Sequence, residues 1–267
     1  MISARMKVHS TAIIHDGAKI GAATIGPHCI VGPDVVLSDD VILASNVVIE
    51  GATSIGARTK VHAFSVLGSA PQHLGYKGED TRLIIGEDNT IREHVTMNRG
   101  TAAGGGTTLV GDGGYFMTGA HIAHDCRVGN HVIFANNATL GGHVVVGDRA
   151  FLGGLCAVHQ HCRIGEFAFV GGCAAVTNDV IPYASAVGNH ANLVGLNIIG
   201  LKRRGILRDA IHDLRAAYRL LFEGEGTFSE RIEQVRSAYG KRPEVSRILD
   251  FIDAGEARPI MTPARSV

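Results

Sequence analysis

An apolar residue recurs every six positions along most of this chain, and a strict period of six is compatible with very few folds. From Val110 the slot holds Val110, Phe116, Ile122, Val128, Phe134, Leu140, Val146, Leu152, Val158, Ile164, Val170 and Val176. Four residues after each comes a small residue, from Gly114, Ala120 and Cys126 to Ala168, Ala174 and Val180, none larger than Val. An earlier block keeps the same step at Ile25, Val31, Leu37, Leu43, Ile49, Ile55, Val61 and Leu67. A helix needs apolar residues at three- and four-residue steps and an ordinary strand needs every second one. A period of six instead specifies a parallel β-helix, with one short strand and one corner per hexad. Three hexads close a triangular coil, so residues eighteen apart stack about 4.8 Å from each other on successive coils.

Composition fits a narrow prism. Trp is absent, aromatics make up 5% and there are 35 glycines, too few large rings to crowd a thin interior. Gly follows the apolar residue in many hexads (Gly21, Gly26, Gly32, Gly129, Gly147, Gly165), consistent with unusual dihedrals or with close packing. The formal net charge of zero argues against nucleic acid as the main partner. Residues 1–7 lack a signal-peptide core and no apolar run approaches 18 residues, so a cytoplasmic protein without an integral membrane segment is expected. Cys29, Cys126, Cys156 and Cys162 occupy the small inward slot, where Cys acts as a compact hydrophobe.

The repeat divides the chain into a β-helix over 1–199 and a helical C-terminal domain over 200–267. Two insertions, 70–82 and 99–108, carry loop signals, and in a solenoid such insertions gather on one face and build the site. After Ile206, residues Ile211, Leu214, Ala217, Tyr218 and Leu221 follow helical spacing. Thr227 with Glu230 has capping-box spacing, Pro243 can open a further helix, and the end beyond about 257 reads as a disordered tail.

Fourteen histidines exceed what packing requires, and several of them cluster. His121 and His124 flank Ile122, while His143, His159 and His161 follow within two coils. By the eighteen-residue rule Gly142 stacks on His124 and Gln160 on Gly142, with Asp125, His143 and His161 in the next column. A base of near-neutral pKa beside a bare glycine N–H suits attack on a thioester, because the N–H can stabilise the developing oxyanion. Taken singly, each of these histidines would be a solvated residue on the prism exterior.

The runs AHIAHDCRVGNHVIFANNATLGGHV (120–144), AVHQHCRIG (157–165), VGGCAAV (170–176), GNHA (188–191) and GLKRRG (200–205) closely resemble the UDP-N-acetylglucosamine O-acyltransferase family. The resemblance covers nearly the whole chain. It implies a left-handed β-helix and a cytosolic homotrimer without cofactor or metal. Its members move an (R)-3-hydroxyacyl group from acyl carrier protein to the 3-hydroxyl of a UDP-sugar, the first step of lipid A synthesis. Carried onto this sequence, it makes His124 the general base, Gly142 the oxyanion donor and Asp125 the associated carboxylate, although adjacent side chains on a strand diverge. It places His121, His143, Gln160 and His190 in the sugar, pantetheine and acyl site, and Asn197 and Arg203 on the nucleotide and phosphates. Gly172, stacked on Gly154, matches an acyl-chain ruler. Lys202, Arg204 and Arg208 join Arg203 in a basic patch suited to an acidic carrier protein.

The chain departs from the family pattern at His73, where a sugar-contacting acid is expected, and at Gly75, Asn98 and Ile199. A 3-amino sugar nucleotide is therefore an alternative acceptor. Two other readings are weaker. A γ-class carbonic anhydrase could use His121 and His124 as zinc ligands but leaves the cap, the GLKRRG run and the insertions unexplained. A non-catalytic solenoid would need only the repeat.

Overall fold

The computed structural model describes residues 6–255 and 257–264. Each hexad forms a two-residue strand, such as His121–Ile122, Arg127–Val128 and Ile133–Phe134, whose second residue points to the axis. Ile122 and Phe134 are 0% exposed and Val128 is 3% exposed. Burying each such side chain contributes roughly 1.5–3 kcal/mol, so the column of inward residues is the main source of cohesion. The strands form three sheets, and between Val110 and Val176 the eighteen-residue register holds along each of them. Val110 pairs with Val128, Val128 with Val146 and Val146 with Ile164 on the third sheet. Ile122, Leu140, Val158 and Val176 pair in the same way on the second. Phe116, Phe134, Leu152 and Val170 do so on the first.

The corners turn on a residue that the glycine pattern does not mark. The third residue after most inward apolar ones adopts a left-handed conformation, as at Asp125 (φ 60°), His143 (φ 62°), Leu155 (φ 60°) and His161 (φ 65°). Such a conformation costs a non-glycine residue about 1–2 kcal/mol. It is held here by a bond to the preceding coil: His143 N–H donates to His124 O and His161 N–H to Gly142 O, each at 3.0 Å. Of the glycines that directly follow the apolar residues, Gly68 is left-handed (φ 85°), but Gly21, Gly26, Gly32, Gly129, Gly147 and Gly165 have ordinary dihedrals, so close packing is their purpose. A Cβ at Gly129, for example, would lie 2.8 Å from Asp148 N on the next coil.

Both insertions leave the second sheet and return to the third, the first between Val66–Ser69 and Arg82–Ile85, the second between Thr96–Asn98 and Thr107–Val110. They therefore project from the same prism edge. The cap consists of α1 (Ile198–Arg203), α2 (Arg208–Glu223), α3 (Phe228–Tyr239) and α4 (Pro243–Asp253). Thr227 and Glu230 close the capping box of α3, and Pro243 opens α4. Ile206 precedes α2 and packs, half-buried, on the core.

The expected disordered tail is instead a strap. Ile260 bridges Asp179, Pro263 bridges Leu193 and Met261 is 2% exposed, because Asp179 N–H donates to Pro259 O and Asp179 O accepts from Met261 N–H. Glu256 and residues 265–267, the remainder of the expected C-terminal domain, lie outside the described residues. Among the described residues no helix is long and apolar enough to cross a membrane.

Candidate active site

His124 lies on the edge between the second and third sheets, under both insertions. It is only 8% exposed, so the picture of a solvated exterior histidine does not hold. His73 of the first insertion meets its ring edge-on with centroids 5.2 Å apart, and His143 meets it likewise at 5.2 Å. Asp125 Oδ2 accepts from His124 Nδ1 at 2.8 Å. Neighbouring side chains diverge on a strand, but Asp125 occupies the left-handed corner, where the backbone turns its carboxylate back toward His124. Direct contact between the two, which strand geometry argued against, is thus a product of the corner.

The carboxylate is enclosed. The Asp125 side chain is 0% exposed and is held by the second insertion, with Thr101 N–H donating to Oδ1 at 2.8 Å and Thr101 Oγ1 to Oδ2 at 2.7 Å. Asp125 N–H donates to Thr108 Oγ1 at 2.8 Å. Burial acts to raise the Asp125 carboxyl, but the Thr101 and His124 donations outweigh it and hold it below its ordinary value. An ionised Asp125 can only accept, so Nδ1 of His124 donates to it, and in the neutral imidazole the lone pair then lies on Nε2. Nε2 faces the backbone of Gly142, where a built Cβ would lie 2.7 Å away. The Gly142 N–H donates to nothing among the described residues.

The other imidazoles surround this pair. His121 Nδ1 bonds Thr96 Oγ1 at 2.7 Å, and His143 stacks on His161 at 4.5 Å with its Nε2 3.6 Å from Asp125 Oδ2. Burial lowers the pKa of His121, helped by the nearby His124. Burial also lowers that of His143, against the pull of Asp125. His124, Asp125 and His143 offer ligand atoms within 4.8 Å of one another, whereas the γ-class reading had selected His121 and His124. Both Asp125 oxygens already accept protein hydrogen bonds, which is the arrangement of an oriented base.

Other expected site residues lie elsewhere. Gln160 is one rung beyond Gly142 and exposed, with Arg258 of the strap donating from Nε to its carbonyl at 3.2 Å and from Nη2 to His159 Nδ1 at 2.7 Å. His190, also exposed, bridges to Ala175 one rung past the last strand of the second sheet. Gly172 stacks on Gly154, its built Cβ 3.2 Å from Gly154 O, on the edge between the first and second sheets. Asn197 caps α1, accepting from Gly200 N–H at 3.0 Å and donating to Phe167 O at 3.0 Å, so its amide already serves the fold. Arg204 lies over the Phe167 ring at 5.8 Å, with Arg149 at 6.0 Å, on the edge between the third and first sheets. Lys202, Arg203 and Arg208 are exposed beside it. One chain therefore spreads the expected site over all three edges.

Thr101 and Thr108 were missed by sequence reasoning, although the glycine-rich second insertion was the signal that could have found them. Of the departures, His73 Nδ1 accepts from Gly75 N–H at 3.1 Å, so the two shape one turn. Asn98 is 3% exposed and donates to Ala70 O at 3.0 Å, anchoring the start of the first insertion, while its Oδ1 has no partner. Ile199 is 68% exposed on α1.

A family model described as "Udp N-acetylglucosamine O-acyltransferase; Domain 2" matches residues 179–261. The acyl-[acyl-carrier-protein]–UDP-N-acetylglucosamine O-acyltransferase of Caulobacter vibrioides is 56% identical over 81% of this chain and 82% of that protein. The protein of the same name from Rhizobium johnstonii is 48% identical over 99% and 97%. The solved UDP-N-acetylglucosamine O-acyltransferase of Moraxella catarrhalis superposes with a TM-score of 0.92 at 39% identity, covering 95% of this chain and 99% of that one. The fold shared with such structures is the left-handed parallel β-helix.

Proposed function

The chain belongs to the UDP-N-acetylglucosamine O-acyltransferase family, and from this and the His124 edge we propose that it transfers an (R)-3-hydroxyacyl group from acyl carrier protein to the 3-hydroxyl of UDP-N-acetylglucosamine. This is the first step of lipid A synthesis and takes place in the cytoplasm. The observation that carries the mechanism is the polarity of His124, with Nδ1 bonded to Asp125 and Nε2 free beside Gly142. Nε2 takes the proton from the sugar hydroxyl as its oxygen attacks the thioester carbonyl. The carbonyl oxygen becomes an oxyanion that accepts from the Gly142 N–H. Collapse breaks the C–S bond, and the imidazolium returns the proton to the leaving thiolate. Asp125 stabilises that imidazolium throughout.

Completing the site takes more than one copy. The outward residues of the second sheet, Ile13, Ile30, Val48, Val66, Thr96, His121, Thr139, Ala157 and Ala175, include no Asp, Glu, Lys or Arg. The upper first sheet presents Tyr115, Ile133, Phe151 and Phe169, whereas the third carries Lys19, Arg82, Arg127 and Arg163. The lower first sheet carries Lys7 and Lys60, but packing its upper part on the second sheet around a threefold axis buries two faces without charge. It also brings the His124 edge of one copy to the Asn197–Arg204 edge of the next and leaves the Gly154–Gly172 edge near the axis. The exposed cluster of Lys202, Arg203, Arg204 and Arg208 then receives the acceptor phosphates and the acidic carrier protein.

The test is turnover of wild type and His124→Ala with 3-hydroxyacyl carrier protein, offering UDP-N-acetylglucosamine and its 3-amino analogue in competition at several salt concentrations. The hydroxyl acceptor should win, donor KM should rise with salt, and the variant should lose roughly two to four orders of magnitude in turnover. Near-normal turnover of His124→Ala eliminates the mechanism, preference for the amine reassigns the acceptor, and a salt-independent donor KM removes the basic patch from docking.

A further inference from the structure

The second insertion grips the catalytic pair at Asp125. Gly100, Thr101 and Gly104 all pack against Asp125, and a Cβ at Gly104 would collide with its carboxylate, which accounts for a glycine-rich loop at this place. Thr101 is 6% exposed, and its amide and hydroxyl make three bonds at once. Its N–H donates to Asp125 Oδ1 at 2.8 Å and its hydroxyl donates to Oδ2 at 2.7 Å, while the same hydroxyl accepts from Gly104 N–H at 3.1 Å and so fixes its own direction. Oδ2 is also the atom that accepts from His124 Nδ1.

We propose that Thr101 is a positioning residue for the acyl transfer, aligning Asp125 so that Oδ2 meets Nδ1 of His124 and sharing the charge of that oxygen. This rests on His124 being the base. Two donors along different bonds leave the carboxylate no freedom to rotate, and the orientation passes to the imidazole and hence to Nε2. A donated hydroxyl hydrogen also draws electron density from Oδ2, weakening its hold on an imidazolium proton. The other groups facing His124 are His73 of the first insertion, His143 of the next coil and His121 on its own coil, with His161 behind His143. None of these is a carboxylate, so among the described groups facing His124 only Asp125 carries a negative charge, and Thr101 bonds both of its oxygens.

Thr101→Val and Thr101→Ala keep the backbone donor and remove the hydroxyl, and Thr101→Ser restores it. With the hydroxyl gone, kcat should fall roughly ten- to a hundredfold, the usual cost of a bond to a charged group, with acceptor KM little changed. The acid limb of kcat/KM should move to higher pH, and Ser should recover both. A role confined to capping the 102–104 turn would lower the melting temperature without moving the limb. The proposal is overturned if the limb and kcat stay in place in a folded Val or Ala variant, or if neither variant folds. His124→Ala in the same series separates the two readings: if it stays active, the base assignment itself has failed, whereas an inactive His124→Ala beside an unaltered Thr101→Val refutes Thr101 alone.

Discussion

His121 and His143 are held neutral by their surroundings, and this has a consequence for stability beyond catalysis. Both have folded-state pKa values below the ordinary 6.5, mainly through burial. As pH falls through 6.5 the unfolded chain binds protons that the folded chain resists, so stability present above that value is lost on acidification. Asp125 is depressed too, but its contribution persists down to the carboxylate range. Denaturant midpoints should therefore decline between about pH 7 and 5, and His143→Gln should flatten the decline. A midpoint independent of pH over that interval would show that neither imidazole is held neutral. The same residues show why local reading stops short. Stacking His124, Gly142 and Gln160 needs only the repeat, but the contact between His124 and Asp125 needs a left-handed corner that no residue type announces, since Asp, His, Arg, Leu and Phe all occupy it.

The hexads, the capping box at Thr227 and the helix start at Pro243 were legible because each is a local pattern with a fixed spacing. The burial of His124, the grip of Thr101 and the strap at 257–264 were not, because each joins segments far apart in sequence and outside the period. Edges carry the specificity of such a solenoid. On the edge between the first and second sheets, the stack of Gly172 over Gly154 is the lane we propose for a long acyl chain. Gly172→Met should shift preference toward shorter 3-hydroxyacyl donors, because filling the lane removes burial worth about 0.8 kcal/mol per methylene and adds a clash. The check is the ratio of kcat/KM for short and long donors, and an unchanged ranking would place the tail elsewhere.

For the whole molecule, the uncharged second sheet predicts that Ala157→Glu, on the proposed interface, splits the proposed trimer into folded but inactive single chains. Sedimentation with circular dichroism would read this, and a trimeric, active variant would refute the packing of first sheet on second. The C-terminal end of the prism is also finished differently from its middle. A coil stacked on a coil exposes, at its last rung, backbone groups ready to accept another chain's strand. Here the chain reverses into the antiparallel hairpin of Ala184–Val187 and Asn192–Leu196, and the strap then bridges Asp179 and Leu193. Nothing in the repeat itself limits growth, since each rung is a template for the next. Hairpin and strap act as a terminator for that templating, so the geometry that gives this enzyme its ladder of site residues does not also lead its copies to polymerise end to end into fibres.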